Sequence, residues 1–188
     1  MKLLLTMLIV IGLVACSSPP PVSYYQLSTS QSPRANPAER LQPEYSLHLQ
    51  PVMVANYLNG AGLVMQRSDV ELVIASRHLW ADALDQQMYR LLAEQLQARL
   101  PVVQLTPVSN AADMRLQLII DRFHAQDNGV AVISGYYTLL SGDNRATRSF
   151  SYQQPLTADG YPAMVSALSA GWQQLVDDLM LDLKQQYL

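Results

Sequence analysis

The sequence predicts an α+β fold: a single domain built on a largely antiparallel sheet, with two long helices packed on one of its faces. Three observations carry this. Leu84, Met88, Leu91, Leu92, Leu96 and Leu100 recur at helical spacing. Met114, Leu116, Leu118 and Ile120 alternate with Arg115, Gln117 and, less cleanly, Ile119, at the period of a half-buried strand. Met164, Val165, Leu168, Trp172, Leu175, Val176, Leu179 and Leu183 then trace a second helical stripe toward the C-terminus. Strands, helix, strands, helix is the order of a sheet covered on one side.

The elements follow in turn. Val22-Ser23-Tyr24-Tyr25-Gln26-Leu27 reads as a short strand inside a stretch otherwise rich in Pro, Ser, Gln and Asn. The folded body begins near Tyr45. Leu47, Leu49, Val52 and Val54 suggest a strand broken at Pro51, because proline cannot donate to a ladder. Asn59-Gly60-Ala61-Gly62 is a turn, and Leu63–Met65 and then Val70–Ile74 are two more strand candidates. Asp82 is placed to cap the first helix, which Pro101 stops. Val102–Leu105 is a short strand. Asp127-Asn128-Gly129 and Ser141-Gly142-Asp143-Asn144 turn the chain between Met114–Ile120, Val130–Leu140 and Ala146–Tyr152, a three-stranded meander. Pro162, after Asp159-Gly160, suits the first turn of the last helix.

The N-terminus carries an address. Lys2 precedes an apolar run from Leu3 to Val14, which matches the core of a secretory signal (roughly 7–15 residues) and falls short of the roughly 17–25 that span a bilayer. Leu13-Val14-Ala15-Cys16 follows, containing the sole cysteine, and looks like a bacterial lipobox: cleavage after Ala15 and acylation of Cys16, palmitate among the chains. One acyl chain holds a protein marginally and two or more hold it stably, so Cys16 would serve as an anchor without any spanning helix. Ser17 and Ser18 lack the Asp that commonly retains lipoproteins at the inner membrane, which points to the outer membrane with the body facing the periplasm. The expected division is a signal peptide over 1–15, a lipidated Cys16 and Pro/Ser-rich tether with one short strand over 16–44, and the α+β domain over 45–188. No other cysteine is present, so no internal disulfide is expected.

Composition excludes several functions. Of the 188 residues, 14% are charged and 49% hydrophobic, with a net charge of −3; an average globular chain is about 25% charged. There is no Lys/Arg stripe to neutralise phosphates, so nucleic acid is excluded as a partner. His48, His78 and His124 stand apart from one another and from Cys16, without metal-ligand spacing. Asn59-Gly60-Ala61-Gly62 lacks the third glycine of a dinucleotide loop. There is no nucleophile elbow or P-loop, and Asp177 and Asp178 read as solvated charge on the last helix. No catalytic, metal or cofactor-binding residues are assigned, and no cofactor is expected beyond the covalent lipid.

One further set of residues carries a family resemblance: the lipobox, Tyr24-Tyr25-Gln26-Leu27, the Tyr57-Leu58 pair, Leu79-Trp80-Ala81 leading into Leu84-Asp85-Gln86-Gln87, Asp159-Gly160-Tyr161 and Trp172. On these the chain resembles the ABC-type transport auxiliary lipoproteins, most closely the PqiC type, the lipoprotein subunits of paraquat-inducible Pqi intermembrane transport systems. Ala55 and Ala83 depart from it, standing where the family often has Pro. The resemblance implies a non-enzymatic, outer-membrane-anchored periplasmic subunit that forms a homo-oligomeric ring. It also implies docking with the tube protein of a mammalian-cell-entry (MCE) system, phospholipid cargo and a contribution to envelope integrity. The alternative is a monomeric envelope lipoprotein acting as an assembly factor or chaperone. Oligomer or partner contacts are expected in the Tyr57–Met65 hairpin and the Val70–Trp80 segment, at Tyr57, Leu58, Leu63, Val73 and Trp80, because apolar residues occupy both strand faces there. Burial of those strands within one chain is the competing expectation, and for Trp80 a packing role beside the helix start competes with that of an interface anchor.

Overall fold

The computed structural model describes residues 20–28 and 43–186. The expected signal peptide, Cys16, Ser17, Ser18 and the loop over 29–42 lie outside the described residues. Among these residues nine strands and two α-helices follow one another as β1 (Ser23–Tyr25), β2 (Tyr45–Leu49), β3 (Met53–Val54), β4 (Gly62–Gln66), β5 (Leu72–Trp80), α1 (Leu84–Arg99), β6 (Val103–Leu105), β7 (Met114–Gln126), β8 (Val130–Ser141), β9 (Asn144–Pro155) and α2 (Tyr161–Gln186). The α+β reading therefore holds, with both helices where the apolar stripes put them.

The meander β7–β8–β9 is the spine, antiparallel throughout and paired in register almost end to end. Its apolar alternation sends Leu116, Leu118, Ile120 and Phe123 of β7 into the core, where each is at most 1% exposed. A bulge between Ile120 and Arg122 resets the alternation. Gly135 stands opposite, where a Cβ would run into the Ile119 carbonyl, so the close approach of the strands requires glycine.

The other side of the spine is not antiparallel. The chain over 45–66 runs alongside β7 in three short parallel contacts: Leu47 beside Met114, Met53 beside Ile119 and Met65 beside Ala125. Between them the chain leaves the ladder at Pro51 and again over Asn56–Leu58, a single 3-10 turn. β5 returns antiparallel to β4, and β1 and β6 add parallel edges to β5 and β2. The sheet is mixed, with its long ladders antiparallel and its short ones mostly parallel.

Both helices close over one face. α2 is the main lid, burying Met164, Leu168, Trp172, Leu175, Leu179 and Leu183. Gly171 lets it approach β8, since a Cβ there would strike the Ile133 side chain. α1 contributes Leu84, Met88, Leu92 and Leu96 to the same core, and Arg99 Nη1 meets Asp177 Oδ1 of α2 at 2.6 Å.

Three local expectations are corrected. The first strand is confined to Ser23–Tyr25, the length that β5 pairs. Val70 is in the turn, 96% exposed, and β5 extends instead to Trp80. Asp82 does not cap α1. Its Oδ1 accepts from the adjacent Ala83 N–H at 2.9 Å and its Oδ2 pairs with Arg90, while the first helical bond runs from Gln87 N to the Ala83 carbonyl.

Candidate functional site

Of the five side chains expected at an interface, three belong to the core of the single chain. Leu63 is fully buried, Leu58 is 2% exposed and Trp80 5%. Trp80 packs beside Phe123 with ring centroids 6.2 Å apart, so its packing role prevails. The physical reason is the parallel run along β7, which seats the 55–66 stretch against the core instead of leaving it as a free hairpin. Val73 is half-buried and retains surface. Tyr57, the fifth, is half-buried and engaged in a polar network.

That network joins elements distant in sequence. The Tyr57 hydroxyl lies 3.1 Å from the Asp121 carbonyl and 3.0 Å from His124 Nδ1. His124 Nε2 is 3.2 Å from Gln66 Oε1, which also accepts from Gln126 Nε2 at 2.9 Å. Gln66 Oε1 can only accept, so the Gln66 contact calls for the His124 proton on Nε2, and the single Tyr57 hydroxyl proton is then shared between the Asp121 carbonyl and Nδ1. Burial, and then the nearby Arg122 charge, hold the His124 pKa below its ordinary value, favouring the neutral ring. Burial likewise pushes the Tyr57 hydroxyl up. His48 and His78 also have partners: His48 Nδ1 with the Thr106 carbonyl, and His78 Nδ1 with the Tyr25 hydroxyl, each at 3.0 Å.

The segment at 20–28 is bound to the body far more firmly than a tether. Arg77 Nη1 donates to the Pro20 carbonyl at 2.6 Å, β1 pairs with the last residues of β5, and Ala81 N donates to the Tyr25 carbonyl. His78 stacks on Tyr161, the first residue of α2, at 3.8 Å. Leu27 inserts into the core at 4% exposure. Its N–H donates to Gln87 Oε1 at 3.1 Å, and the Ser28 N–H donates to Ser169 Oγ at 3.1 Å. Gln87 is itself buried, with its amide donating to the Asp82 carbonyl at 2.7 Å. Sequence reasoning named Gln87 only within the family resemblance and missed its bond to Leu27, and it missed Ser169 altogether. A polar residue on the apolar stripe of a helix was the available signal.

The carboxylates of α2 are not merely solvated. Asp178 accepts from the Tyr152 hydroxyl at 2.6 Å, and Asp182 accepts from Tyr137 and pairs with Arg148 Nε at 3.2 Å. Burial first, then these hydrogen bonds, hold both tyrosines protonated far above their ordinary range. Among the described residues, no group of three or more His, Cys, Asp and Glu could hold a metal ion. No helix there is long and apolar enough to cross a membrane.

Comparison with known proteins agrees with this architecture. The family model described as the ABC-type transport auxiliary lipoprotein component matches residues 25–180. The intermembrane transport lipoprotein PqiC of Escherichia coli (strain K12) is 34% identical, covering 98% of this chain and 99% of its own. The protein of that name from Shigella flexneri matches equally. A crystal structure of an uncharacterized protein, 32% identical, superposes with a TM-score of 0.74 over 87% of this chain and 99% of its own. Protein XCC0632 from Xanthomonas campestris shares the fold at a TM-score of 0.68 and 17% identity, over 86% of this chain and 94% of its own.

Proposed function

Because the chain belongs to the ABC-type transport auxiliary lipoprotein component family, we propose that it is the lipoprotein subunit of a Pqi-type intermembrane lipid transport system. On this reading Cys16 is acylated and holds the protein in the outer membrane, with the body in the periplasm. The subunit assembles as a homo-oligomeric ring, receives an MCE-domain tube protein carrying phospholipid, turns over nothing itself, and supports envelope integrity.

The observation that carries the reading is identity of 34% along essentially the whole length to a protein named for intermembrane transport. The docked segment at 20–28 adds a physical argument. A ring that meets a tube must hold each body at a fixed height above its membrane, and a strand, a buried Leu27 and two side-chain clamps to its backbone do this better than a flexible linker. Contacts between copies then draw on side chains with surface to offer, Val73 and Tyr57 among those expected.

The test is in the envelope. Cys16→Ala should leave an unacylated precursor that keeps residues 1–15; the wild type should fractionate with outer membrane, and Ser17→Asp should shift the protein toward the inner membrane in a host with that sorting rule. Crosslinking of the detergent-solubilised wild type should capture further copies and an MCE-domain protein. A variant lacking Cys16 that is still processed and still fractionates with outer membrane would defeat the anchoring. A single-chain mass by light scattering, with no MCE-domain protein crosslinked, would defeat the ring and leave the monomeric assembly factor standing.

A further inference from the structure

Nine large hydrophobic residues are exposed among those described, and five of them, Val22, Tyr24, Val70, Leu72 and Ile74, lie on β1, immediately before it, or on the β4–β5 hairpin. Their grouping is not explained by the core. Val70 occupies the hairpin tip at 96% exposure, beside the Arg67 N–H to Glu71 carbonyl bond that closes the turn. Leu72 and Ile74, at 42% and 53%, follow it along one face of β5.

The direction of β1 says what lies beside this patch. β1 runs parallel to β5, with Ser23 level with His78 and Tyr25 with Trp80. Toward the N-terminus the chain therefore heads back along β5 toward the tip, and the Arg77 contact with the Pro20 carbonyl keeps it there. One-for-one continuation sets Pro20 level with Ala75, and at about 3.3 Å per residue the tip projects roughly 10–15 Å beyond it. Cys16 is four residues before Pro20, so the chain between them reaches at most about 14 Å. The plane at which the hairpin tip ends is therefore within reach of an acyl anchor on Cys16.

We propose that the β4–β5 hairpin tip is a second membrane contact, with Val70, Leu72 and Ile74 resting in the lipid surface that holds the acylated Cys16. Asp69 and Glu71 flank Val70, and Asp127 and Asn128 of the neighbouring turn share a polar recess with Asp69. These groups keep the tip among headgroups and out of the hydrocarbon. The contact fixes the tilt of the body as well as its height, because a single anchor leaves rotation about the tether free. The inference rests on the anchoring proposed above.

The test uses the acylated full chain reconstituted in vesicles of phosphatidylethanolamine and phosphatidylglycerol. With Cys16 acylated, Val70→Cys supplies a single reactive thiol for an environment-sensitive fluorophore, and at 96% exposure the substitution leaves the fold intact. Val108→Cys, 52% exposed at the far end beyond β6, is the control. Lipid spin-labelled near the headgroup should quench the label at 70 at least about twofold more than the label at 108, with a blue shift at 70 alone. Equal quenching at both positions, in protein whose mass shows the acyl chains, overturns the hairpin contact while the anchor stands. A label at 70 that is shielded but unquenched, and crosslinks to another copy, assigns the patch to a subunit interface and also overturns it. A mass without acyl chains defeats the anchor and the hairpin contact together.

Discussion

Replacing Gln87 should release the N-terminal segment from the body without unfolding the body. Gln87 is 2% exposed and joins two chain segments: its Oε1 accepts the Leu27 N–H and its Nε2 donates to the Asp82 carbonyl. Gln87→Leu keeps the volume and removes both bonds, leaving a buried N–H at Leu27 and a carbonyl at Asp82 unpaired. Each orphaned group costs about 1–3 kcal/mol, and the extra apolar burial of leucine returns about 1 kcal/mol. The net loss, about 1–5 kcal/mol, falls mainly on a segment held otherwise by three β1 pairings, Leu27 and the Ser169 clamp. Opening of residues 23–28 should therefore become about 10-fold more frequent for each 1.4 kcal/mol lost. Amide exchange at Tyr25, Leu27 and Ser28 reads this directly, with β7 amides as the internal reference. Gln87→Glu separates the two halves, since its carboxylate still accepts from Leu27 but cannot donate to Asp82. Unchanged exchange at Leu27 in Gln87→Leu would refute the clamp.

Further substitutions probe the packing and the buried network. Gly171→Ala should destabilise by about 1–3 kcal/mol through collision with Ile133, reversing the usual gain of about 1 kcal/mol for removing a helical glycine; adding Ile133→Val should recover part of the loss, and a stabilised Gly171→Ala chain in thermal melts would contradict the close approach. His124 has a pKa lowered by folding, so the unfolded chain binds the proton more readily. Its contribution is complete above the unfolded value of about 6.5 and is lost as pH falls through the lower folded value; His124→Gln should flatten the stability slope just below that pH, and identical urea midpoints profiles would dismiss the effect. Leu63→Asp should fail to fold because it buries a charge at a fully enclosed site, whereas Val73→Asp should fold; a cooperative melt for Leu63→Asp would show that the site is not core.

The helices and the meander were legible because their signals are local. An apolar residue every third or fourth position, or every second one, reports burial of one face without knowledge of what covers it, and the Gly129 and Gly142 turns adopt positive φ as their sequences require. The parallel contacts of β2, β3 and β4 with β7 were not legible. They join residues more than fifty positions apart, and each involves only two or three registered pairs. Nothing in Leu47, Met53 or Met65 distinguishes a parallel neighbour from an antiparallel one.

The candidate site divides along the same line. Apolar residues on both faces of the 57–80 stretch were read as surplus surface, but one face of that stretch is closed by β7 and the helices, and the surplus that survives is at Val70, Leu72 and Ile74. Only the fold could move the unexplained apolar area from Leu63 to the hairpin tip. The same fold turns the N-terminal segment back toward that tip, through a strand that the sequence did show and a register that it did not. On the anchoring proposed above, an acyl chain on Cys16 would be placed relative to the body only through the register that sets Ser23 beside His78. If both proposed contacts hold, a body fixed at two points on its membrane presents one repeated orientation to neighbouring copies.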